Sequence, residues 1–384
     1  MRIAFFTESL LPLVDGVSLT LTHLFDDLEE RGIEFRVYSP FTPPPELPWA
    51  DRVHTLPSVR FPLYTDYRLS IPWGQGLGAE LDGWRPDLVH VTSPTPMAGW
   101  ARRYANRRGI PLVATFHTHF VAYFRYYGFR SVERFGWWLM RRAYRSCRMV
   151  FTPSEAIATE LRQRGIGPVR IWSRGVDTEL FSPARRDRSL REAVGADEQT
   201  PILLMVSRLV KEKDLLDLPP MVRRLEAAGH AFRLVLVGDG PLRSRLESEL
   251  PDAAFVGYQS GTALSRWYAS GDVFVFPSTT ETFGNVVQEA LASGVPAVVS
   301  DRGGPQTVIE PGASGLVARA NDPAHFAEQV GRLLADPERR AAMGRAARKQ
   351  TEGQSWHRVN EQLLDGYRAV LERGETVVVQ RDVA

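Results

Sequence analysis

Two glutamates, Glu281 and Glu289, bracket the start of a helix in the stretch "STTETFGNVVQEALASG", residues 278–294. A strand-like "DVFVFPST" leads into it, and Gly294 stops the helix before the next strand, "VPAVVS". Val286, Val287, Ala290 and Leu291 fall at helical spacing and make a buried stripe, while Asn285 and Glu289 share the polar line beside it. Phe283, Gly284 and Asn285 supply the N–H groups that a helix start leaves unpaired. Such an end attracts phosphate, and a glycine there lets a ligand approach the backbone closely. Glu289 stands about 7 Å further along the axis. A carboxylate at that point repels phosphate but accepts hydrogen bonds from the diol of a ribose. Glu281, on the other side of the phosphate position, suits a second polyol such as a sugar. Taken alone, the stretch also reads as a loop acid and a solvated helix face.

Cations elsewhere in the chain favour the first reading. A diphosphate that leaves needs positive charge where its own charge develops. "VSRLVKEKD" follows a strand and places Arg208 and Lys213 in the loop at its carboxyl end; their plainer role is surface pairing with Glu212 or Asp214. "VGDGP", 237–241, is a tight strand-end turn but not a dinucleotide fingerprint, because Arg243 stands where the third glycine belongs. No G-x-x-x-x-G-K-[ST] occurs. Dehydrogenase and P-loop chemistry are therefore disfavoured. "TESLLPLVDGVSLTL" puts Gly16 in a loop between the first strand and first helix, where it either serves a turn or brings backbone to a phosphate. "ATFHTHF" puts His117 at a strand's carboxyl end, facing a cleft or buried as a structural histidine. His117 and His119 are spaced like metal ligands, but no acidic third ligand lies near in sequence, and no metal is assigned.

The elements that position these residues alternate. "RIAFFTES", "EFRVYSPF", "DLVHVTS", "PLVATFHT", "MVFTPS" and "VRIWSRG" are short and apolar, with amphipathic helical stretches between several of them. Strands apolar on both faces imply parallel sheets covered by helices. After the polar, turn-rich segment 186–201, read as a linker, the pattern restarts with "ILLMVSRL", "FRLVLVGDG", "AFVGY", "DVFVFPST", "PAVVSD" and "GLVAR". Two α/β domains in tandem follow, with Rossmann-like sheets facing across a cleft, and ligands beyond the carboxyl ends of their strands.

Composition sets the class. The 384 residues suffice for two domains, and 43 % apolar with 24 % charged residues is a globular profile. No apolar run approaches the ~20 residues that span a bilayer. The amino terminus reads as a strand rather than a leader, and the single cysteine, Cys147, excludes an internal disulfide. A cytoplasmic location follows as the expectation. Net charge is only +2, yet residues 101–150 hold eleven arginines and one acid, Glu133. Within this block, residues 130–148 interleave Arg with Trp, Phe and Tyr. Such a segment suits an anionic membrane surface, with contacts through Arg134, Arg141, Arg142 and Arg145; otherwise its arginines pair with the eight acids of residues 1–50. A nucleic-acid binder would use the same block but leaves Glu281 and Arg208 unexplained, so no nucleic-acid partner is expected.

With these residues in view, the chain resembles the retaining glycosyltransferases of family 4, which have the GT-B fold. The resemblance runs from the first strand to about residue 375. It is most specific in "PSTTETFGNVVQEALASGVPAVVSDRGGPQTVIEPGASGLV", where Glu281 and Glu289 match the E-x7-E pattern, in "SRLVKEKD", and in "SRGVDTELFSP" (173–183). It implies an acceptor-side domain at 1–180, a nucleotide-sugar domain at 181–354, and a helix at 355–375 that crosses back onto the first domain. It also implies roles: Arg208 and Lys213 bind the donor diphosphate, Gly16 lies beneath it, Glu289 holds the ribose, and Glu281 with the backbone of Phe283 and Gly284 holds the sugar. His117 contacts that sugar near its reacting carbon. Ser207 and Asp214 depart from the family pattern, where glycines often flank this Arg and Lys. Segments "ETFGNVVQEALASG", "HTHFVAYFRYYG" and "YTDYRLSIP" are most similar to GDP-mannose-dependent α-mannosyltransferases that modify lipids or glycolipids. The implied partners are GDP-mannose as co-substrate, a lipid or glycan acceptor and the inner face of the plasma membrane, with no cofactor. UDP-sugar transferases of glucosyl, glucuronosyl or sulfoquinovosyl type share similar segments, and a UDP-N-acetylglucosamine epimerase can share the fold.

Overall fold

The computed structural model describes residues 1–61, 64–72, 76–117, 119 and 133–372. Most of the quoted segment 117–128, the start of 130–148 and everything after Glu372 lie outside the described residues.

A seven-stranded parallel sheet forms the first domain, in the order β3-β2-β1-β6-β7-β8-β9. Its strands are β1 (Arg2–Phe6), β2 (Glu34–Ser39), β3 (Val53–Thr55), β6 (Leu88–Val91), β7 (Leu112–Thr115), β8 (Met149–Thr152) and β9 (Val169–Ile171). An antiparallel hairpin of β4 (Ser58–Phe61) and β5 (Tyr64–Ser70) stands apart from it. The second domain is a six-stranded parallel sheet in the order β12-β11-β10-β13-β14-β15. Those strands are β10 (Ile202–Val206), β11 (Arg233–Val237), β12 (Ala254–Phe255), β13 (Val273–Phe276), β14 (Ala297–Ser300) and β15 (Gly315–Ala318). In both sheets the order reverses beside the first strand of the domain, which creates a crevice at the strands' carboxyl ends.

The central strands are buried on both faces: β6, β7, β10, β13 and β14 have every residue buried. Continuous apolar runs produce this pattern, whereas strict alternation would leave one face to water. Each sheet carries an apolar cluster on either side, built from the helices that cover it.

One of those clusters recruits the end of the chain. Val359, Leu363, Leu364, Tyr367 and Val370 of the helix Trp356–Glu372 pack with Phe5, Leu21, Phe25 and Phe151 of the first domain. Gly366 permits the approach, since a Cβ there would lie 2.6 Å from the Phe151 ring. Within the cluster the Tyr367 hydroxyl meets His90 Nδ1 at 2.6 Å, and His90 Nε2 meets Thr115 Oγ1 at 2.6 Å. Burial holds His90 neutral, with its pKa lowered to about 3. The two crossings between domains lie side by side: Val176 N donates to Gln354 O at 2.9 Å, and a Cβ on Gly175 would come 2.5 Å from the Trp356 backbone.

Segment 186–201 is more structured than a linker. It contains the helix Arg188–Ala193, and Arg191 is almost wholly buried. The Arg191 guanidinium donates to the carbonyls of Ser270, Asp197 and Thr200 and to Asp272 Oδ2. A buried arginine that satisfies so many carbonyls fixes a polar segment that hydropathy alone reads as loose. No described helix is long and apolar enough to cross a membrane.

Candidate active site

Helix Asn285–Ala292 begins, as its sequence suggests, directly after the β13 loop. Gly284 precedes it at φ 104°, a left-handed conformation that glycine adopts freely, and no side chain caps the helix start. Val287 N already donates to Gly284 O at 3.0 Å, which leaves the N–H groups of Asn285 and Val286 open to a ligand. Phe283 is buried in the second domain's core and anchors the turn. The loop before it is cradled by two glycines that sequence reading passed over. Gly304 N donates to Glu281 O at 2.7 Å, and a Cβ on Gly304 would lie 2.2 Å from Thr282 O; on Gly303 it would lie 2.8 Å from Glu281 O.

Glu289 is half-buried and accepts one hydrogen bond, from the Tyr268 hydroxyl at 2.7 Å. Burial raises its pKa from 4.5 to about 7, and the Tyr268 bond offsets only part of the rise. Glu281 pairs with the buried Lys213 of the β10 loop. That loop is tied to the β13 loop twice more: Thr280 Oγ1 donates to Glu212 O at 2.8 Å, and Asp214 Oδ2 accepts from Thr279 N at 2.9 Å and Thr279 Oγ1 at 2.8 Å. Asp214 itself sits at φ 55°. A residue in the glycine-favoured region thus replaces the family's glycine, and its carboxylate offsets that cost by holding the neighbouring loop.

Arg208 is exposed and has no ion pair among the described residues. Its loop is shaped by the tight turn at 237–241. A Cβ at Gly238 would fall 1.9 Å from Ser207 O and at Gly240 2.5 Å from Leu209 O, with φ of 133° and 155°. Only glycines allow the two loops this approach.

His117 and Gly16 come to this place from the first domain. Gly16 is the first residue of the helix Gly16–Glu30 rather than part of the loop, and Asp15 caps that helix through the N–H groups of Val17 and Ser18. A Cβ on Gly16 would stand 3.6 Å from Asn285 Nδ2, so the two helix starts meet across the cleft. His117 is buried, and the domains are joined there by hydrogen bonds: Thr282 Oγ1 donates to His117 O at 2.7 Å, and Ser154 Oγ donates to Thr282 O at 2.7 Å.

Arg174, absent from the expected set, governs His117. Its Nη2 donates to His117 Nδ1 at 2.8 Å, and Nη1 contacts the carbonyls of Trp172 and Ser173. Gln288 Nε2 in turn donates to Arg174 O at 2.9 Å. Burial first, then Arg174 and His90, hold His117 well below the usual imidazole range. The ring is neutral, and because guanidinium can only donate, Nδ1 accepts and the proton sits on Nε2. That Nε2–H is buried with no partner among the described residues. A buried donor of this kind is open to a ligand or an ordered water.

His119 is drawn away: its Nε2 meets Glu160 Oε2 at 2.9 Å, a carboxylate 41 positions distant. Among the described residues no group of three His, Cys, Asp or Glu is placed to hold a metal ion.

Two Rossmann-like parallel-sheet domains that meet across a cleft have the architecture of the GT-B sugar transferases. The chain belongs to glycosyltransferase family 4: residues 14–180 match the "Glycosyltransferase Family 4" model and residues 187–350 match "Glycosyl transferases group 1". It is 38 % identical to a GDP-mannose-dependent alpha-mannosyltransferase of Mycobacterium tuberculosis over 98 % of both chains. It is also 33 % identical to the sulfoquinovosyl transferase SQD2 of Arabidopsis thaliana, over 92 % of this chain and 71 % of that one. Among solved structures, sucrose-phosphate synthase of Thermosynechococcus elongatus matches with TM-score 0.77 at 20 % identity, covering 97 % of this chain and 99 % of that one. HepE of Anabaena in complex with UDP matches with TM-score 0.76 at 19 % identity, covering 96 % and 100 %.

Proposed function

We propose that the chain transfers a mannosyl group from GDP-mannose, with retention of configuration, to a hydroxyl of a lipid or glycolipid. The observation that carries this reading is identity of 30–38 % along 97–98 % of the chain to three GDP-mannose-dependent alpha-mannosyltransferases. In this reading Glu289 accepts the ribose hydroxyls. The diphosphate lies against the start of the helix Asn285–Ala292, over Gly16 and between Arg208 and Lys213. Glu281, which now pairs with Lys213, turns to the sugar when the diphosphate takes that lysine. His117 Nε2–H donates to a sugar hydroxyl near the reacting carbon. The bond between the anomeric carbon and the bridging phosphate oxygen breaks, the acceptor oxygen bonds to the anomeric carbon on the same face, and its proton passes to the departing diphosphate oxygen. Arg208, Lys213 and the helix start stabilise the charge that develops there.

A lipid acceptor gains support from the helix Glu133–Tyr144. Its Phe135, Trp138 and Leu139 are 58 %, 49 % and 41 % exposed, beside exposed Arg134, Arg141, Arg142 and Arg145. None of these four arginines has an ion pair with the acids of residues 1–50 among the described residues. A basic face interleaved with bare aromatics fits peripheral docking on the anionic inner face of a membrane.

The test is thermal stability with GDP, GDP-mannose, UDP, UDP-glucose and NAD, for the parent, Glu289→Ala and Arg208→Ala. Ligand at 100 times its Kd adds about 2.7 kcal/mol. A shift with GDP-mannose that both variants lose supports the reading. A shift with UDP-glucose alone moves the donor to the UDP-sugar alternative, which the similarity to SQD2 favours. No shift with any nucleotide overturns the site.

A further inference from the structure

Glu8 is a buried acid that the reaction scheme leaves unused. It lies two residues beyond β1, is 0 % exposed, and neither carboxylate oxygen has a hydrogen-bond partner among the described residues. The Thr95 hydroxyl is near enough to influence it without satisfying it. Its neighbours are fixed. Thr7 N donates to Tyr38 O, Thr7 Oγ1 to Ser9 O, and Ser9 Oγ to Asp15, the residue that caps the helix starting at Gly16. Glu8 is thus held rigidly on the segment that leads to the diphosphate position.

The sheet order brings β1, β6 and β7 side by side, so Glu8, the Thr92–Thr95 turn and His117 form one row at the carboxyl edge. Strands spaced about 4.8 Å apart put Glu8 and His117 about 10 Å from each other. At the far end of the row His117 O accepts from Thr282 Oγ1 of the second domain, and the helix that follows the Glu8 segment meets Asn285 through Gly16. In the transferase reading above, the transferred sugar and the hydroxyl that attacks it lie between His117 Nε2–H and the Glu8 carboxyl, two groups of this row without a hydrogen-bond partner among the described residues. A native fold rarely leaves buried carboxyl oxygens unpaired without a role for them.

We propose that Glu8 is a specificity-determining residue for the acceptor, and that its carboxyl group hydrogen-bonds the hydroxyls of an uncharged polyol head group. The inference rests on the transferase reading above. Burial pushes the Glu8 carboxyl up to about 8, so the group is protonated at neutral pH and offers one donor with acceptor capacity beside it. A vicinal pair of hydroxyls matches that set. An anionic head group gains no cation from Glu8 and meets a growing negative charge as pH rises. A neutral acid is also a poor base, which leaves the acceptor proton to the departing diphosphate. Entry of the acceptor requires the domains to part at Thr282.

The experiment uses the full chain loaded with GDP and titrates octyl α-mannoside and octyl glucuronide below their micellar concentrations, by calorimetry at pH 7. GDP-mannose affinity is measured separately on the same samples. The expected result is preference for the neutral glycoside, weakened about tenfold in Glu8→Ala and by less than about threefold in Glu8→Gln, with GDP-mannose affinity unchanged in both. Preference for the glucuronide, equal mannoside affinity in parent and Glu8→Ala, or no binding of the mannoside to the parent overturns the proposal. If Glu8→Ala unfolds, Glu8→Gln against Glu8→Leu carries the same comparison; equal mannoside affinity in these two overturns it. Failure of GDP-mannose to bind the parent falls instead on the transferase reading.

Discussion

With Glu289 holding the ribose as proposed, the donor's affinity should depend on pH, in a direction opposite to Glu289's own contribution to the free protein's stability. The folded-state pKa of Glu289 is raised from 4.5 to about 7 by burial. In the free protein the raised value means that Glu289 favours folding below pH 4.5, and that this contribution is lost as pH climbs to 7. The donor reverses the preference, because two ribose hydroxyls donate to a carboxylate better than to a carboxylic acid. GDP-mannose should therefore bind with full affinity above pH 7.5 and progressively less tightly below 7. At pH 5 the carboxylate fraction is about one in a hundred, so the loss reaches up to about 100-fold, or ~2.7 kcal/mol. The assay is isothermal calorimetry from pH 5 to 8 with GDP-mannose. GDP is avoided because its terminal phosphate titrates near 6, as phosphomonoesters do. Two variants sharpen the test. Glu289→Gln should bind weakly at every pH and lose the slope. Tyr268→Phe removes the hydroxyl that holds the carboxylate at 2.7 Å, so its midpoint should move above that of the parent. Constant affinity from pH 5 to 8, or the same slope in Glu289→Gln, would refute the assignment of the ribose to Glu289.

Three further outcomes follow from contacts already described. Lys213→Ala leaves Glu281 without its ion partner and should cost about 2 kcal/mol in thermal or urea unfolding; adding Glu281→Ala should restore stability but not GDP-mannose affinity, and recovery of both would remove Lys213 from the donor site. Arg174→Met deletes the donor to His117 Nδ1 and one source of repulsion, so the His117 NMR titration should move up toward the ordinary imidazole value while kcat falls at least about tenfold; an unmoved titration contradicts the tautomer argument. Phe135→Glu with Trp138→Glu should cut cosedimentation with anionic vesicles at least about tenfold and leave turnover of a water-soluble acceptor unchanged; equal cosedimentation would detach this helix from the membrane.

The two parallel sheets were legible because their central strands are short apolar runs closed by glycines and polar turns, a pattern no alternating sheet produces. Helix Asn285–Ala292 was legible for the same reason: of its expected stripe Val287, Ala290 and Leu291 are buried, while Val286 packs against the same core only half-buried. Long-range polar geometry was not. Arg174 lies inside the quoted "SRGVDTELFSP", yet nothing local marks it, because its partner His117 is 57 residues away. Gln288 looked like one more helix residue, although its amide reaches Arg174 O and Gln354. Segment 186–201 misled because hydropathy scores Arg191 as a surface residue, while its guanidinium fills a site lined by carbonyls and Asp272. Asp214 illustrates a departure that sequence could flag but not interpret: the left-handed backbone is kept, and the side chain adds a bond that glycine lacks.

The return of the last helix onto the first domain has a mechanical consequence. A chain that crossed once between its halves would leave them joined by a flexible cord, free to swivel about many axes. Here two crossings run abreast, bonded from Val176 to Gln354 and pressed together at Gly175 and Trp356. Two adjoining crossings restrict swivelling more than a single cord does, so any relative movement of the halves must bend both crossings together.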